Sequence, residues 1–279
     1  NGAGNIHWRN YNKILNKSFM DPIRVLQIVD SLRPGGTESM ALNIANDLSI
    51  DKTFSSFLVC TRQEGNLIER IESNVTYLFL HKKRKLDVGA LFRLYRFIKK
   101  NRINIIHAHS TSFYYPVMLK LFCSFKLIWH DHYGINSKKN VKRFYPYTYL
   151  SYFFDYVISV SNIIYQKNLQ ALHVNKSRQI YLPNYSINRH SLLDKHYHLL
   201  GLKENRIVCL ANFTPAKDHE ILFKAFQIVQ ERINNVILYC IGAFPNAERE
   251  KEITSLIKSL KIKNVVLTGS VANPFPYLS

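Results

Sequence analysis

Between residues 23 and 268 the chain alternates short runs rich in Val and Ile with longer amphipathic stretches, and few folds satisfy that alternation. A parallel strand covered by helices on both faces reads as a continuous apolar run, without the in-out alternation of a half-exposed strand. The runs IRVLQIV (23–29), SFLVC (56–60), VTYLFL (75–80), INIIHA (103–108), KLIWH (126–130) and YVISV (156–160) have this character. The stretches between them carry a helical period instead: Ala41, Ile44, Ala45 and Leu48 share one face, as do Leu91, Leu94, Tyr95 and Ile98. The predicted class is α/β, with parallel strands joined by crossover helices.

The interval SINRHSLLDKHYHLLGLKENR, which begins at Ser186, is polar and rich in His, and a second series of the same kind follows it. That series comprises strands 207–211, 235–241 and 264–268, a helix over 216–232, and a helix with Ile253, Leu256, Ile257 and Leu260 on one face. The expected organisation is a first Rossmann-like domain over residues 20–185, a linker over 186–205 and a second domain over 206–279. Three strands and two helices supply about half of a doubly wound domain, so the second is expected to be incomplete. Residues 1–19 are polar and aperiodic, and MDPIRVLQIVD from Met20 resembles a natural start; they are read as an upstream extension outside the fold.

Lys and Arg number 38 against 19 Asp and Glu, a net charge of +19, which favours anionic partners: a phosphorylated small molecule, a membrane surface or a nucleic acid. Nucleic-acid binders interleave aromatic and basic residues on an exposed surface, whereas most aromatics here fall in strands and helix cores, so no nucleic acid is expected. Cys60, Cys123, Cys209 and Cys240 show no C-x-x-C pairing and fit buried thiols of a reducing cytoplasm. No uncharged apolar run approaches the roughly 18–20 residues that span a bilayer.

Four features carry possible chemistry. Gly35, Gly36 and Thr37 open the first strand-to-helix turn, where unpaired amides and the helix dipole favour an anion and glycine permits close approach; a simple tight turn is the other reading. His107 and His109 end one strand and His130 and His132 the next, at the carboxyl ends where α/β proteins bind ligands. His130 and His132 point to one face, and no Asp, Glu or Cys lies at zinc-like spacing, so no metal is expected and a hydrogen-bonding role is preferred. For His107 a core position is the expectation. Lys217 lies near the start of its helix, where a cation opposes the dipole unless an anion joins it; a solvated lysine is the alternative. The run HKKRK (81–85) continues into Arg93, Arg96, Lys99 and Lys100 beside Phe92 and Phe97, a face that is either solvated or rests on anionic lipid.

In that order these residues resemble the nucleotide-sugar glycosyltransferases of family 4, from about residue 23 to the end. The carriers are GGTE (35–38) with MALNIANDL, INIIHAHS, IWHDHYG, YVISVSN, IYLPNYSI and LANFTPAKDHEILFKAF. The resemblance implies the GT-B fold of two Rossmann-like domains and transfer of a sugar, with retention, from a UDP- or GDP-linked donor to an acceptor hydroxyl. It implies no bound metal or other cofactor. Lys217 matches the family's phosphate-binding lysine, which would stabilise the departing diphosphate. His132 matches the histidine that contacts the transferred sugar, with His130 in that role if the register is shifted by two. Gly35 and Gly36 match the turn that admits donor phosphate and acceptor, with Thr37 and His109 as further donor or acceptor contacts. Asn212 occupies the position where many members carry an arginine. The family's pair of glutamates would follow beyond PFPYLS, implying that the second domain continues past Ser279.

The expected function is therefore glycosyl transfer in bacterial surface polysaccharide synthesis, on a glycan or polyprenyl-linked acceptor, at the cytoplasmic face of an anionic membrane. The alternatives are a sugar-nucleotide epimerase of the same architecture and a binding protein without catalysis.

Overall fold

The structure, a computed structural model, describes residues 22–132, 147–185, 199–271 and 273–278. The proposed extension over 1–19 and most of the 186–205 linker lie outside them. The chain divides into two compact units. One comprises residues up to Ser31, Met40–Gln63 and Ile71–Asn184; the other comprises Leu32–Ser39, Glu64–Arg70 and the residues from Tyr185 on.

The first unit is built on seven strands: β1 (Ile23–Ser31), β2 (Phe54–Gln63), β3 (Thr76–Phe79), β4 (Ile105–His109), β5 (Lys126–Asp131), β6 (Tyr156–Ser159) and β7 (Gln179–Tyr181). All pair in parallel, in the order β3-β2-β1-β4-β5-β6-β7. The six expected strands are present with ends shifted by up to three residues. Sequence reading missed β7, whose three residues are too few for a periodic signal and whose first, Gln179, is polar yet buried. Gln179 donates from Nε2 to the Val174 carbonyl at 2.7 Å.

Among the described residues, helices α1 (Gly36–Ile50), α2 (Val88–Lys100), α3 (Tyr114–Leu119) and α4 (Asn162–Ala171) connect these strands. Asp87 caps α2 by accepting from the Ala90 amide at 2.9 Å, satisfying one of the orphan donors of the first turn. The helix then buries Ala90, Leu94 and Ile98. Leu91 and Tyr95, expected on the same face, pack at its edge.

Because strand side chains alternate, the central strands present two different faces. Leu26 and Ile28 of β1, Ile106 and Ala108 of β4, and Leu127 and Trp129 of β5 join the core that α2 and α3 cover. Burial of each large aliphatic side chain in that layer contributes about 1.5–3 kcal/mol. The opposite face of the same strands carries Gln27, His107, His109 and His130, all buried.

The second unit contains three parallel strands, β8 (Arg206–Leu210), β9 (Ile237–Ile241) and β10 (Val265–Gly269), in the order β10-β9-β8. Helices α5 (His219–Arg232) and α6 (Ala247–Ser259) flank them. Phe213, Phe223, Phe226, Leu238, Cys240 and Ile253 form the core. The helix expected from residue 216 begins at His219. Pro215–Lys217 form a 3-10 turn, and Asp218, in the left-handed region at φ 45°, caps α5 through the Ile221 amide. Gly242, just beyond β9, touches the backbone of the first βα turn: a Cβ there would lie 2.1 Å from the Ala211 carbonyl oxygen.

Cys60, Cys123 and Cys240 are buried and Cys209 half-buried, all as free thiols. Burial, reinforced by Cys209, pushes the Cys240 thiol up to about 12. Among the described residues no helix is long and apolar enough to cross a membrane.

Candidate active site

The order of the first sheet fixes where a ligand can enter. From β1 the chain runs outward through β2 and β3, then returns to place β4 on the other side of β1. Helices leaving β1 and β4 diverge at such a point, and the crevice opens beyond the strands' carboxyl ends. His109 closes β4, and His132 stands one residue past the end of β5. After His109 the chain turns at Ser110, a non-glycine residue at φ 51°. Trp129 Nε1 donates to the Ser110 carbonyl at 2.7 Å, and Ser112 Oγ lies 2.6 Å from the Ile28 carbonyl and 2.7 Å from that of His109.

Strand register then joins the histidines across the sheet. Gln27 lies opposite His107, and His109 opposite His130. The hydrogen bonds run along the diagonals. His107 Nε2 meets His130 Nδ1 at 3.2 Å, His109 Nδ1 meets His132 Nε2 at 2.9 Å, and His109 Nε2 meets Gln27 Oε1 at 2.8 Å. His107 and His109 also stack, with centroids 4.5 Å apart, and the rings of His130 and His132 lie tilted at 4.1 Å. His107 Nδ1, His130 Nε2, His132 Nδ1 and Gln27 Nε2 are buried with no hydrogen-bond partner.

Burial keeps these imidazoles neutral. It lowers His107 to about 3, aided by His132, and lowers half-buried His132 to about 4. His109 and His130 are driven well below the ordinary histidine range by burial and, secondarily, by their neighbouring rings. A neutral imidazole has one donor and one acceptor nitrogen, so the cluster is a set of directed hydrogen-bonding groups and not a patch of positive charge.

The cluster also has the donor spacing of a metal site, since His107, His109 and His130 each offer a nitrogen within 4.8 Å of the others. A cation held by the facing nitrogens of His107 and His130 would require protons on His107 Nδ1 and His130 Nε2. Neither buried atom meets an acceptor. Metal-bound histidines normally donate that outer N–H to a carboxylate or carbonyl. The spacing fits a cation, but the outer support does not.

The sequence model of glycosyltransferase family 4 matches residues 34–184, more than half of the chain. The chain belongs to glycosyltransferase family 4. No curated protein matches it. Among solved structures it is similar to HepE of Anabaena in complex with UDP and glucose, at 17% identity and a TM-score of 0.69 over 92% of this chain and 71% of that one. It is also similar to a sucrose-phosphate synthase from Thermosynechococcus elongatus (14% identity, TM-score 0.66, 92% of this chain and 73% of that one). A third is the UDP-GlcNAc 2-epimerase of Neisseria meningitidis bound to UDP-GlcNAc (12% identity, TM-score 0.58, 92% and 75%). These likenesses establish the shared GT-B fold, an α/β architecture with two parallel sheets.

In this family 4 chain the other expected site residues fall into distinct settings. Gly36 is the first residue of α1, and a Cβ added there would meet nothing within 4 Å. Neither Gly35 nor Gly36 has a positive φ, so the turn does not need glycine for its conformation. A Cβ on Gly35 would lie 2.4 Å from the Glu38 carboxylate and 3.9 Å from the Arg33 carbonyl oxygen. Thr37 is buried. Asn212 is half-buried with both ends of its amide engaged: Oδ1 accepts from the Ala243 amide at 2.9 Å and Nδ2 donates to the Pro34 carbonyl at 3.3 Å. Lys217 is exposed at the end of the 3-10 turn. Tyr133 and Gly134 lie outside the described residues.

Sequence reading missed two features of the first unit. Gln27, inside an apolar strand, anchors the histidine diagonal. Asp30, near the end of β1, accepts from Thr61 Oγ1 and Thr111 Oγ1, each at 2.5 Å, with Arg62 Nε at 3.7 Å. A polar residue within an apolar run was the available signal for both.

The basic surface is less uniform than its sequence suggested. Lys82 lies 3.9 Å from the centre of the Tyr115 ring and is held below the usual lysine range, chiefly by burial and then by Arg62. Arg93 donates to the Leu80 carbonyl. Arg84, Lys85, Arg96, Lys99 and Lys100 remain exposed, near exposed Leu86, Val88 and Phe92.

Proposed function

We propose that this chain transfers a sugar, with retention, from a UDP- or GDP-linked donor to an acceptor hydroxyl in the assembly of a bacterial surface polysaccharide. The observation that carries this reading is His132, neutral and bonded to His109, at the carboxyl end of β5 in a family 4 chain. A neutral imidazole there hydrogen-bonds a sugar without repelling a developing positive charge at the anomeric carbon. Lys217 opposes the charge on the departing diphosphate, and the open space over Gly36 admits a phosphate or an acceptor. The nucleotide and sugars bound by the neighbouring structures are compatible with this donor class.

The test is a screen of UDP- and GDP-sugars for hydrolysis and transfer, with Lys217→Ala alongside. Loss of one such electrostatic contact is expected to lower kcat by about 10²–10³-fold with thermal stability unchanged. Absence of turnover with every donor would overturn the reading. The epimerase fold is shared, so formation of an epimerised nucleotide sugar without any acceptor would replace transfer by epimerisation.

Docking on an anionic membrane at the cytoplasmic face belongs to the same proposal. Leu86, Val88 and Phe92 are exposed beside exposed basic residues at the start of α2, a combination suited to headgroup contact. Stronger sedimentation with anionic than with neutral vesicles is expected, and equal binding to both would refute docking.

A further inference from the structure

Gln27 is fully buried in the middle of a strand whose neighbours from Val25 to Val29 are all apolar. One end of its amide, Nε2, has no partner, which costs about 1–3 kcal/mol relative to a satisfied group. An apolar residue would avoid that cost, so the other end, bonded to His109, needs a purpose.

Counting protons supplies one. Gln27 Oε1 can only accept, so His109 Nε2 carries the His109 proton. The ring is neutral, which leaves His109 Nδ1 as a lone pair. The 2.9 Å contact with His132 Nε2 then requires His132 to donate. That places the single His132 proton on Nε2 and leaves Nδ1, buried and unpartnered, as an acceptor. Turning the Gln27 amide over would reverse every step and make His132 Nδ1 a donor, so the tautomer of His132 reports which arrangement holds.

We propose that Gln27 is a positioning residue which, through His109, fixes His132 in its Nε2–H tautomer and so makes Nδ1, closed to solvent in this structure, the acceptor that a hydroxyl of the transferred sugar meets when it displaces what covers that atom. The sugar contact rests on the proposed glycosyl transfer; the tautomer does not. Gln27 touches no substrate in this scheme. It acts two hydrogen bonds away, as the outer partner of a working imidazole commonly does.

The test is long-range proton–nitrogen NMR on the full chain with nitrogen-15 histidine at neutral pH, with signals assigned by His132→Gln and His109→Gln. In the unaltered protein both rings are expected as pure Nε2–H tautomers. Gln27→Glu keeps them so where its carboxylate is ionised, since only then does it solely accept. Gln27→Leu removes the acceptor, and His109 and His132 then average between tautomers while circular dichroism stays unchanged. An Nδ1–H or mixed His132 in the unaltered protein overturns the proposal. A pure tautomer that survives Gln27→Leu overturns it as well. In the transfer assay Gln27→Leu is expected to lower kcat/KM about tenfold, with Gln27→Glu restoring part of the loss. A fixed Nε2–H tautomer in a chain that turns over no nucleotide sugar would refute glycosyl transfer while the relay stands.

Discussion

Mild acid should unfold the first unit well before it affects an ordinary domain, and the histidine cluster sets the size of the effect. His107, His109, His130 and His132 all have folded pKa values depressed by burial, two of them to about 3 and about 4. In the unfolded chain each titrates near 6.5. The unfolded state therefore binds more protons below neutrality, and stability falls as the pH drops through 6.5. Complete at about pH 8, the contribution of one such ring is reduced by about 2 kcal/mol at pH 5. Four rings give about 8 kcal/mol, comparable with the whole stability of a domain, about 5–15 kcal/mol. The carboxylates act elsewhere. Burial opposes ionisation of Asp155, but Lys120 and the Leu127 amide hold its pKa low, so its contribution is lost only below about pH 4. The assay is urea unfolding followed by tryptophan fluorescence, since Trp129 is buried in this unit, at intervals from pH 8 to pH 5. The slope of stability against pH should correspond to uptake approaching four protons between pH 6 and pH 5. His130→Leu should remove about one of them. A stability that stays flat from pH 7 to pH 5, or a slope of one proton or less, would refute the claim that these rings are buried and neutral.

Two further substitutions separate packing from function. Gly36→Val places a side chain in open space at the first residue of α1, so melting temperature should change little while transfer is abolished; unchanged activity would reduce this turn to a structural one. Gly242→Ala forces a Cβ to within 2.1 Å of the Ala211 carbonyl oxygen, and the second unit should lose about 1–3 kcal/mol, read as a lower melting transition in calorimetry. An unaltered transition would mean that the two backbones separate freely.

Much of the fold was legible because parallel strands and their helices write their burial into local patterns. The runs at 23–29, 126–130 and 235–241 are mostly apolar, and the 88–100 helix shows its stripe in Leu94 and Ile98. The short β7 and the start of α5 were not legible. β7 depends on pairing with β6 more than on its own three residues. The start of α5 was set by Asp218 adopting a left-handed conformation, which an asparagine or aspartate tolerates but no periodicity announces. Of the candidate site, the sequence placed His109 and His132 at strand ends and Gly36 at a helix start. Asn212, considered for donor contact, has both ends of its amide engaged by backbone, a fact of tertiary contact alone.

By itself, then, the sequence determined the class of fold, the family and the strand ends that carry the histidines, because each of these is recorded in neighbouring residues. Only the tertiary structure decided which imidazole meets which. His107 with His130, His109 with His132 and Gln27 with His109 are separated by 23, 23 and 82 residues. Their diagonals exist because β4 returns to the open side of β1 and β5 pairs beyond it, and sheet order is a property of the folded chain that no local pattern encodes.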